Sequence, residues 1–492
     1  MNVLFIILFL VWSVRLLSNI LSYINLWFVK EYRFDRMRIH LGTSEGKRIL
    51  FIRFKRPPVS PKTITLMVVS SVGLSYLFFL LPLPLLFRLL IIDLFTFPII
   101  AVFVGIFKIP TFFYHEILIV LAVRKLRNHV PMKVIGITGS FGKTSTKQFL
   151  TTILSTKFNV LSTVGSKNSP IAIAETILRE LSPEHEVFVV EMGAYKRGEI
   201  ARMARMVEPQ MGIITAINTQ HQDLFGSLEI TAKAKYELIE GLTGKKIAIF
   251  NRDNTYTNEM ISWAMRDGKE VWEYSINSLR QRTHETVKHL FSASNIESDL
   301  HEISFWVSLG VEKKRATVPI VGEHQISNIL ASIAGALACE MTFSDAIAAV
   351  SQIKPFPKVM DVQKGMHGSI FINDTYNNNP DAARAALIVL SKTSGKKYLV
   401  FQPMVELGSY AGISHEEIGK FASKVCNEIF LTNANYYNSF QNGIHAVHPS
   451  QNAQVLPSQE VANLLKKKLK QNDAVLFKGK EAEAVYQRLV NK

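Results

Sequence analysis

The first 131 residues are dominated by long apolar stretches, which cover residues 2–29, Thr63–Phe87 and Ile91–Phe107. A helix needs about 20 apolar residues to cross a bilayer, so we expect each stretch to span a membrane. Residues Phe112–Arg127 have the pattern of an amphipathic helix lying on the inner membrane surface. The alternative is that these stretches form a buried helical hairpin of a soluble domain.

From residue 132 onward, short apolar runs alternate with helical periods, which predicts a mostly parallel α/β sheet. Weakly alternating runs between His284 and Pro319 predict peripheral β structure. The expected central strands cover Val187–Glu191, Gly212–Ile217 and Lys246–Phe250, and the expected helices cover Lys143–Ser155, Ile171–Leu181, Gly198–Met206, Leu228–Leu242, His324–Cys339 and Ser344–Ile353.

Pro355 and Pro357 interrupt the pattern and predict a domain boundary, after which a second α/β pattern follows. The predicted division is a membrane anchor over 1–131, a central domain over 132–356 and a C-terminal domain over 357–492. The C-terminal strands are expected at Ser369–Ile372, Tyr398–Phe401, Glu428–Leu431 and Ala474–Phe477, and the helices at Asp381–Leu390, His415–Cys426, Ser458–Lys470 and Glu481–Val490.

The net charge of +16 suggests nucleic-acid binding until its distribution is considered. Residues 1–131 carry +11 of it, and the segment Lys30–Lys62 alone holds ten Lys or Arg against three acids. Basic residues beside apolar spans mark the cytoplasmic side of a membrane, so we expect no nucleic-acid partner. Three spans that begin outside the cell deliver the rest of the chain to the cytoplasm. The sequence therefore predicts a multi-pass protein of the cytoplasmic membrane.

The most informative stretch for chemistry is Val134–Phe149, VIGITGSFGKTSTKQF, in which an apolar run meets a Gly/Ser/Thr-rich turn and a helix start. A loop of this kind points backbone N–H groups at a polyphosphate, while the lysine contacts the β- and γ-phosphates and the threonine hydroxyl contacts magnesium. The strict pattern requires a glycine five residues before Gly142, where Ile137 stands, and the nearest glycine is Gly136. The predicted ATP-binding residues of the loop are Thr138, Gly139, Ser140, Gly142, Lys143, Thr144 and Ser145.

Two further strand ends carry groups compatible with a metal or a phosphate, namely Glu191 and His221. Ligands of parallel α/β sheets lie at the carboxyl ends of the strands. Magnesium prefers hard oxygen ligands, so Thr144 and Glu191 form a sensible site. His221 is a less usual magnesium ligand and Lys235 would ordinarily be a solvated helix charge. The two cysteines, Cys339 and Cys426, are far apart, which argues against a disulfide framework and suits a reducing cytoplasm.

Seven motifs follow one another in order along the chain after residue 131. They are TGSFGKTSTK (138–147), EMGAYKRGEI (191–200), NTQHQDLFGSLEITAKAKYE (218–237), GEHQISNILASIAGALA (322–338), NDTYNNNPDAARAALIVL (373–390), MVELG (404–408) and VLFKGK (475–480). Together they resemble the Mur ligase family, and within it the branch that adds D-alanyl-D-alanine in peptidoglycan synthesis. The resemblance covers about residues 131–492.

The resemblance implies an ATP- and Mg²⁺-dependent amide-bond ligase that transfers the γ-phosphate to a carboxylate and then admits an amine. It implies Thr144 and Glu191 at a first magnesium, His221 at a second, and Lys235 as a carbamate that holds metal. Lys143, His221 and Lys235 are the implied catalytic residues. The other implied residues are His324, Asn328 and Asp374 for ATP, and Asn168, Tyr376, Asn377 and Asn379 for the substrate.

The chain departs from the family pattern at its N-terminus, where membrane spans replace the domain that holds the UDP-sugar. It also departs at Lys358-Val359-Met360, where the arginine of the family's GRM-type motif is missing, at Gln402-Pro403 and at Lys480. These positions lie in the donor or closure region. The expected substrates are a UDP-linked or lipid-linked cell-wall precursor and an amino acid or dipeptide. Polyglutamate-type amide formation and a membrane-bound nucleotide-binding scaffold without ligase activity remain the alternatives. The oligomeric state is left open.

Overall fold

The computed structural model describes residues 3–42, 46, 49, 54–129, 131–218, 227–276, 289–405 and 407–490. The chain forms two compact units, Met1–Leu118 and Ile119–Lys492. The predicted domain boundaries at 131/132 and 356/357 stay predictions. His221 and Glu406, which belong to predicted motifs, lie outside the described residues.

The N-terminal unit is built from helices α1 to α3 and the first part of α4. Their bounds are α1 Val3–Val29, α2 Phe34–Leu41, α3 Pro61–Leu80 and α4 Leu85–Arg127. Among the described residues, three helical segments are long and apolar enough to cross a membrane, namely Ile6–Val29, Pro61–Leu80 and Leu85–Arg127. Length and composition thus favour the membrane spans expected from the sequence.

Helix α4 corrects two details of the sequence-based prediction. The expected span Ile91–Phe107 and the expected surface helix Phe112–Arg127 form one continuous helix of 43 residues, although Pro98 and Pro110 lie inside it. The expected span Thr63–Phe87 ends earlier, at Leu80, because residues 81–84 form the turn. A proline inside a helix removes one backbone hydrogen bond and clashes with the preceding turn, yet α4 continues past both positions.

Charged and polar side chains connect α1 and α4 within the apolar region. Arg15 Nη2 lies 2.7 Å from Asp93 Oδ2, and Asn19 Nδ2 donates to Asp93 Oδ1 at 2.9 Å. Both helices are long and apolar enough to cross a membrane, and in such helices a paired charge costs less than an isolated one.

The second unit contains two sheets that follow each other along the chain. The first has nine described strands in the order β2-β3-β1-β4-β5-β6-β7-β8-β9, parallel from β2 to β7 and antiparallel from β7 to β9. Their bounds are β1 Lys133–Thr138, β2 Val160–Ser162, β3 Val187–Glu191, β4 Met211–Ile214, β5 Ile247–Asn251, β6 Glu270–Ser275, β7 His289–Ser298, β8 Ile303–Leu309 and β9 Glu312–Val318.

Helices cover both faces of this sheet, as expected for buried parallel strands. One face packs on α5 Lys143–Leu154, α10 Gln325–Ala338 and α11 Phe343–Ala349. The other face packs on α6 Pro170–Glu180, α7 Glu199–Val207, α8 Leu228–Glu240, α9 Thr255–Arg266 and the end of α4. Strands β2 and β6 and helix α9 were absent from the sequence-based prediction.

The second sheet has six described strands in the order β10-β11-β15-β12-β13-β14, with only the β10–β11 pair antiparallel. The strands are β10 Asp361–Lys364, β11 Ile370–Asp374, β12 Lys397–Phe401, β13 Glu428–Leu431, β14 Gln454–Val455 and β15 Ala474–Lys478. The helices are α12 Pro380–Ser391, α13 Ala411–Val425, α14 Tyr437–His445, α15 Ser458–Lys468 and α16 Glu483–Val490. The prediction of an α/β fold with two parallel-rich sheets is confirmed.

Candidate functional site

The candidate site lies at the carboxyl ends of three neighbouring strands of the first sheet. Strand β1 pairs with β3 on one side and β4 on the other, with Ile137 opposite Glu191 and Thr138 opposite Ile214. The loop after β1 therefore emerges beside Glu191. This placement agrees with the general position of ligand sites in parallel sheets.

The loop between β1 and α5 is shaped by two glycines. Gly139 and Gly142 have positive φ angles of 147° and 82°. A Cβ atom at Gly142 would lie 2.5 Å from Asn328 Oδ1, and one at Gly139 would overlap the Thr215 hydroxyl. Only glycine combines these backbone angles with so little space. The loop is thus packed against its neighbours in a shape that leaves its N–H groups at the start of a helix, where anions bind.

Three more loop residues hold the turn in place through side-chain contacts. Thr138 Oγ1 donates to the Met192 carbonyl at 2.8 Å, and the Ser140 hydroxyl accepts from Asn218 N–H at 3.2 Å. Lys143 Nζ donates to the Gly139 and Ser140 carbonyls at 2.7 and 3.1 Å. Burial lowers the pKa of Lys143, and the nearby Glu191 charge opposes that shift. An ammonium held over the loop can exchange these carbonyls for phosphate oxygens.

Glu191, at the end of β3, contacts polar side chains of α5 and of the segment after β2. It is 1% exposed, and its Oε1 accepts from Thr144 Oγ1 at 3.1 Å and from Asn168 Nδ2 at 3.0 Å. Its Oε2 faces Lys147 Nζ at 3.3 Å but accepts no hydrogen bond from the described residues. The carboxylate thus keeps Oε2 without a hydrogen-bond donor in the described part of the chain, and the Thr144 hydroxyl lies beside Oε1. Hard oxygen groups of this kind fit a magnesium ion. The predicted magnesium residues Thr144 and Glu191 are thus brought together.

Lys235 lies in the same electrostatic environment although it is on α8. Its side chain is 3% exposed. Burial and, to a smaller extent, the Lys143 charge lower its pKa to about 7, against the opposing effect of the carboxylates Glu199, Glu237 and Glu191. A large share of this amine is therefore neutral at neutral pH, which is the form that reacts with carbon dioxide.

Glu237 explains how α8 is held against the site. Its carboxylate accepts from Gly198 N–H at 2.7 Å and from Ala201 N–H at 3.1 Å, at the first turn of α7. A carboxylate is favourable there because of the helix dipole and the unpaired N–H groups. Sequence reasoning missed this role.

Among the described residues, no group of three or more His, Cys, Asp or Glu side chains could hold a metal ion by itself. Magnesium is commonly held by one or two carboxylates together with substrate phosphates, so Thr144 and Glu191 suffice for a first site. The predicted second ligand, His221, lies outside the described residues. Its role stays a prediction.

The predicted adenine-side residues divide between two places. Asn328 packs against the phosphate loop, where its Oδ1 accepts from Thr146 Oγ1 at 3.3 Å and its Nδ2 donates to Gln325 at 2.8 Å. His324 precedes α10 and lies within the electrostatic reach of Asp374 and Lys478. Burial lowers the pKa of His324 to about 4. The imidazole is therefore neutral at physiological pH.

Asp374 is part of a buried ion pair that sequence reasoning missed. Lys478 Nζ lies 2.5 Å from Asp374 Oδ2 and donates to the Asn377 carbonyl at 3.0 Å. Lys478 is 1% exposed, and Met360 N–H donates to the other Asp374 oxygen at 3.4 Å. The signal in the sequence was a lysine closing the buried strand run of VLFKGK.

The remaining predicted substrate residues have distinct environments. Tyr376 packs edge-on against Phe356 at 5.3 Å, and its hydroxyl has no hydrogen-bond partner among the described residues. Asn377 is exposed. Asn379 accepts from Ala382 N–H at 2.9 Å and so caps α12. Their predicted substrate contacts stay predictions, and for Asn379 the cap is a sufficient structural reason.

Contacts between the two sheet regions are present around these groups. Asn218 Nδ2 donates to Asp381 Oδ2 at 2.8 Å. A cavity of about 120 Å³ is lined by Ser145, Gln325, Phe356 and Met360, among other residues. Pockets for drug-sized ligands usually measure about 300–1,000 Å³. The space next to Ser145 is therefore smaller than a nucleotide site requires.

Family models and individual relatives assign the chain to the same family. The family model described as Mur ligase middle domain matches residues 137–336, and the one described as Mur ligase, glutamate ligase domain matches residues 360–481. UDP-N-acetylmuramoyl-tripeptide--D-alanyl-D-alanine ligase of Buchnera aphidicola is 30% identical over 360 residues, which cover 72% of this chain and 75% of that enzyme. The chain belongs to the Mur ligase family.

Two further relatives support the assignment to the Mur ligases. The Escherichia coli enzyme of the same name is 33% identical over 298 residues, which cover 60% of this chain and 63% of the relative, less than two thirds of its length. The crystal structure of MurF from Acinetobacter baumannii is 27% identical, with a TM-score of 0.68, and the match covers 77% of this chain and 81% of that one. The resemblance inferred from the motifs is confirmed, whereas the roles of individual residues stay predictions.

We predict that the neutral state of His324 makes the stability of this Mur ligase depend on pH. The folded pKa of about 4 lies below the ordinary value of 6.5, so the unfolded chain binds the proton more readily between these values. The contribution of the neutral imidazole to the free energy of unfolding is fully present above pH 6.5 and is lost as the pH falls toward 4. His324→Gln should flatten the change in thermal unfolding midpoint over this window.

The matched control is His448→Gln, at an exposed position of the second unit. Its unfolding midpoint should follow the wild-type curve from pH 7.5 to pH 4. An unchanged slope in His324→Gln would contradict the assignment of a buried neutral imidazole.

Proposed function

We propose that this Mur ligase is an ATP-dependent amide ligase of cell-wall precursor synthesis. In the favoured reaction, the carboxylate of a UDP-linked muramoyl tripeptide is joined to the amine of D-alanyl-D-alanine. The observation that carries the proposal is the convergence of Lys143, Thr144, Glu191 and Lys235 beside the β1 loop. The names of the relatives supply the substrate pair.

The reaction balances through an acyl phosphate. A carboxylate oxygen of the acceptor attacks the γ-phosphorus of ATP, the bond to the β-phosphate oxygen breaks, and ADP leaves. The donor amine then attacks the acyl carbon, and the tetrahedral intermediate expels inorganic phosphate and a proton. Charge neutralisation on the transferred phosphoryl group is the main requirement of the first step.

Residues of this chain have separate tasks in that scheme. The loop N–H groups and Lys143 hold the β- and γ-phosphates, and Thr144 with Glu191 would hold a magnesium ion against them. When bound, magnesium supplies Lewis-acid stabilisation of the phosphate oxygens. Lys235, as a carbamate formed from its neutral amine, would place a negative charge next to the Lys143 ammonium.

A lipid-linked acceptor is the second candidate substrate. It is favoured by the three apolar helices, which would hold the ligase at the membrane where such precursors reside. The basic segment Lys30–Lys62 supports a cytoplasmic position for the second unit. The chemistry at the carboxylate is the same for both carriers.

The deciding experiment uses the full chain in detergent with ATP, Mg²⁺, D-alanyl-D-alanine and the muramoyl tripeptide on either UDP or a polyprenyl diphosphate. Phosphate release should require both the acceptor and the amine, and mass spectrometry should find the amide product. Lys143→Met should lower the rate about 100-fold or more, as expected when a transition-state charge contact is removed. The control is Lys157→Met, at an exposed lysine just beyond α5. ATP binding without phosphate release from any precursor would favour the scaffold alternative.

Lys235→Ala should abolish ligation because it removes the carbamate, and added formate or acetate should restore part of the rate. Lys233→Ala is the matched control, since Lys233 is an exposed lysine on the same helix. The rates are measured by phosphate release with and without the added acid. Wild-type activity in Lys235→Ala would exclude the carbamate role.

The proposed membrane topology is tested by cysteine labelling of the full chain in intact cells, because the native Cys339 and Cys426 are buried. Leu83→Cys lies in the turn between α3 and α4 and should react with a membrane-impermeant maleimide from outside. Lys55→Cys should react only after lysis. Labelling of Lys55→Cys in intact cells would contradict the three-span arrangement.

A further inference from the structure

A lysine that no predicted role uses lies inside the site. Lys147 is on α5, one turn after Lys143, and only 2% of its side chain is exposed. It shares the buried face of the helix with Leu150 and Leu154, both fully buried. Lysine is almost never fully buried unless it is paired, because removing an ammonium from water is costly. Its position therefore requires compensation by specific partners.

The structure compensates the ammonium with two hydrogen bonds to backbone carbonyls and one nearby carboxylate charge. Lys147 Nζ donates to the Thr163 carbonyl at 2.6 Å and to the Gly165 carbonyl, and it lies 3.3 Å from Glu191 Oε2. Lys143 differs in direction, since its ammonium contacts the carbonyls of the phosphate loop. Lys147 is therefore directed at the carboxylate and away from the phosphate loop.

The two carbonyls belong to the segment that follows β2 and carries Asn168. Thr163 N–H donates to the Val189 carbonyl at 3.2 Å, and Thr163 Oγ1 accepts from Glu191 N–H at 3.1 Å. Asn168 N–H₂ reaches the other Glu191 oxygen at 3.0 Å. The Lys147 ammonium thus connects helix α5, the end of β3 and the segment 163–168.

Both oxygens of Glu191 are positioned as a result. Thr144 and Asn168 orient Oε1 through hydrogen bonds. Among the described residues, Lys147 is the one that forms an ion pair with Oε2. An oxygen held by charge at 3.3 Å without a hydrogen bond keeps its lone pairs available. An arginine would not fit these three contacts, because its guanidinium is a larger planar fork.

We propose that Lys147 is a positioning residue that sets the Glu191 carboxylate and the Asn168 segment for magnesium–nucleotide binding. The inference rests on the proposed function for the identity of the metal–nucleotide ligand. Groups that orient metal ligands typically change metal affinity 10- to 100-fold when they are removed. In this role Lys147 acts through Glu191, which it faces at 3.3 Å.

The test measures binding of Mn²⁺ to the full chain by electron paramagnetic resonance, in the presence of a non-hydrolysable ATP analogue. Lys147→Met keeps the length of the side chain and removes the charge, and it should raise the Mn²⁺ dissociation constant at least tenfold. Lys157→Met should match the wild type. A folded Lys147→Met chain that binds Mn²⁺ within twofold of wild type would overturn the proposal.

A double-mutant comparison separates positioning from general structural damage. Lys147→Met alone leaves Glu191 buried without its cation, which can unfold the chain, whereas Lys147→Met in a Glu191→Gln background removes both charges. If Lys147 acts through Glu191, the double variant should bind Mn²⁺ as the Glu191→Gln single variant does. A further tenfold loss in the double variant would show that Lys147 acts by another route and would overturn the proposal.

The binding readout also separates this inference from the proposed function. Wild-type Mn²⁺–nucleotide binding without ligation of any precursor would reject the ligase reaction and leave the role of Lys147 supported by its own variants. Ligation by the wild type together with unchanged Mn²⁺ binding in Lys147→Met would reject the positioning role alone. Absence of Mn²⁺–nucleotide binding in the wild type would overturn both.

Discussion

A buried carboxylate at the end of β3 is the constraint on which the site depends. Glu191 has almost no access to water, so each of its oxygens needs a donor or a cation from the protein. Those groups come from α5 and from the segment after β2. The need to compensate one charge therefore ties the helix after the phosphate loop to that segment and to the end of β3.

The same principle recurs where the second sheet meets the segment before α10. Asp374 and Lys478 form a buried pair at the ends of adjacent parallel strands, and His324 lies within reach of both charges. Buried pairs of this type stabilise only when their remaining hydrogen bonds are also satisfied. Met360 N–H and the Asn377 carbonyl provide those bonds, so the pair fixes the backbone of two loops that carry predicted ligand contacts.

The N-terminal unit follows different physics. Its helices are apolar on nearly all sides, and Arg15 and Asp93 are tolerated through direct pairing. The excess of positive charge lies in the segment between the first two apolar helices, which is the distribution of a cytoplasmic loop.

The sequence by itself determined the α/β class, the phosphate loop and the strand-end position of Glu191, because periodicity and glycine-rich turns are local signals. A functional role for Lys235 followed only from the family resemblance, because a lysine on a helix is ordinarily solvated. Tertiary structure alone decided that Lys147 and Lys478 are buried counter-charges of Glu191 and Asp374. These outcomes depend on which distant groups surround each side chain, and that information is absent from local pattern. The hint in the sequence was a charge on an otherwise apolar helix face for Lys147, and a lysine at the end of an apolar strand for Lys478.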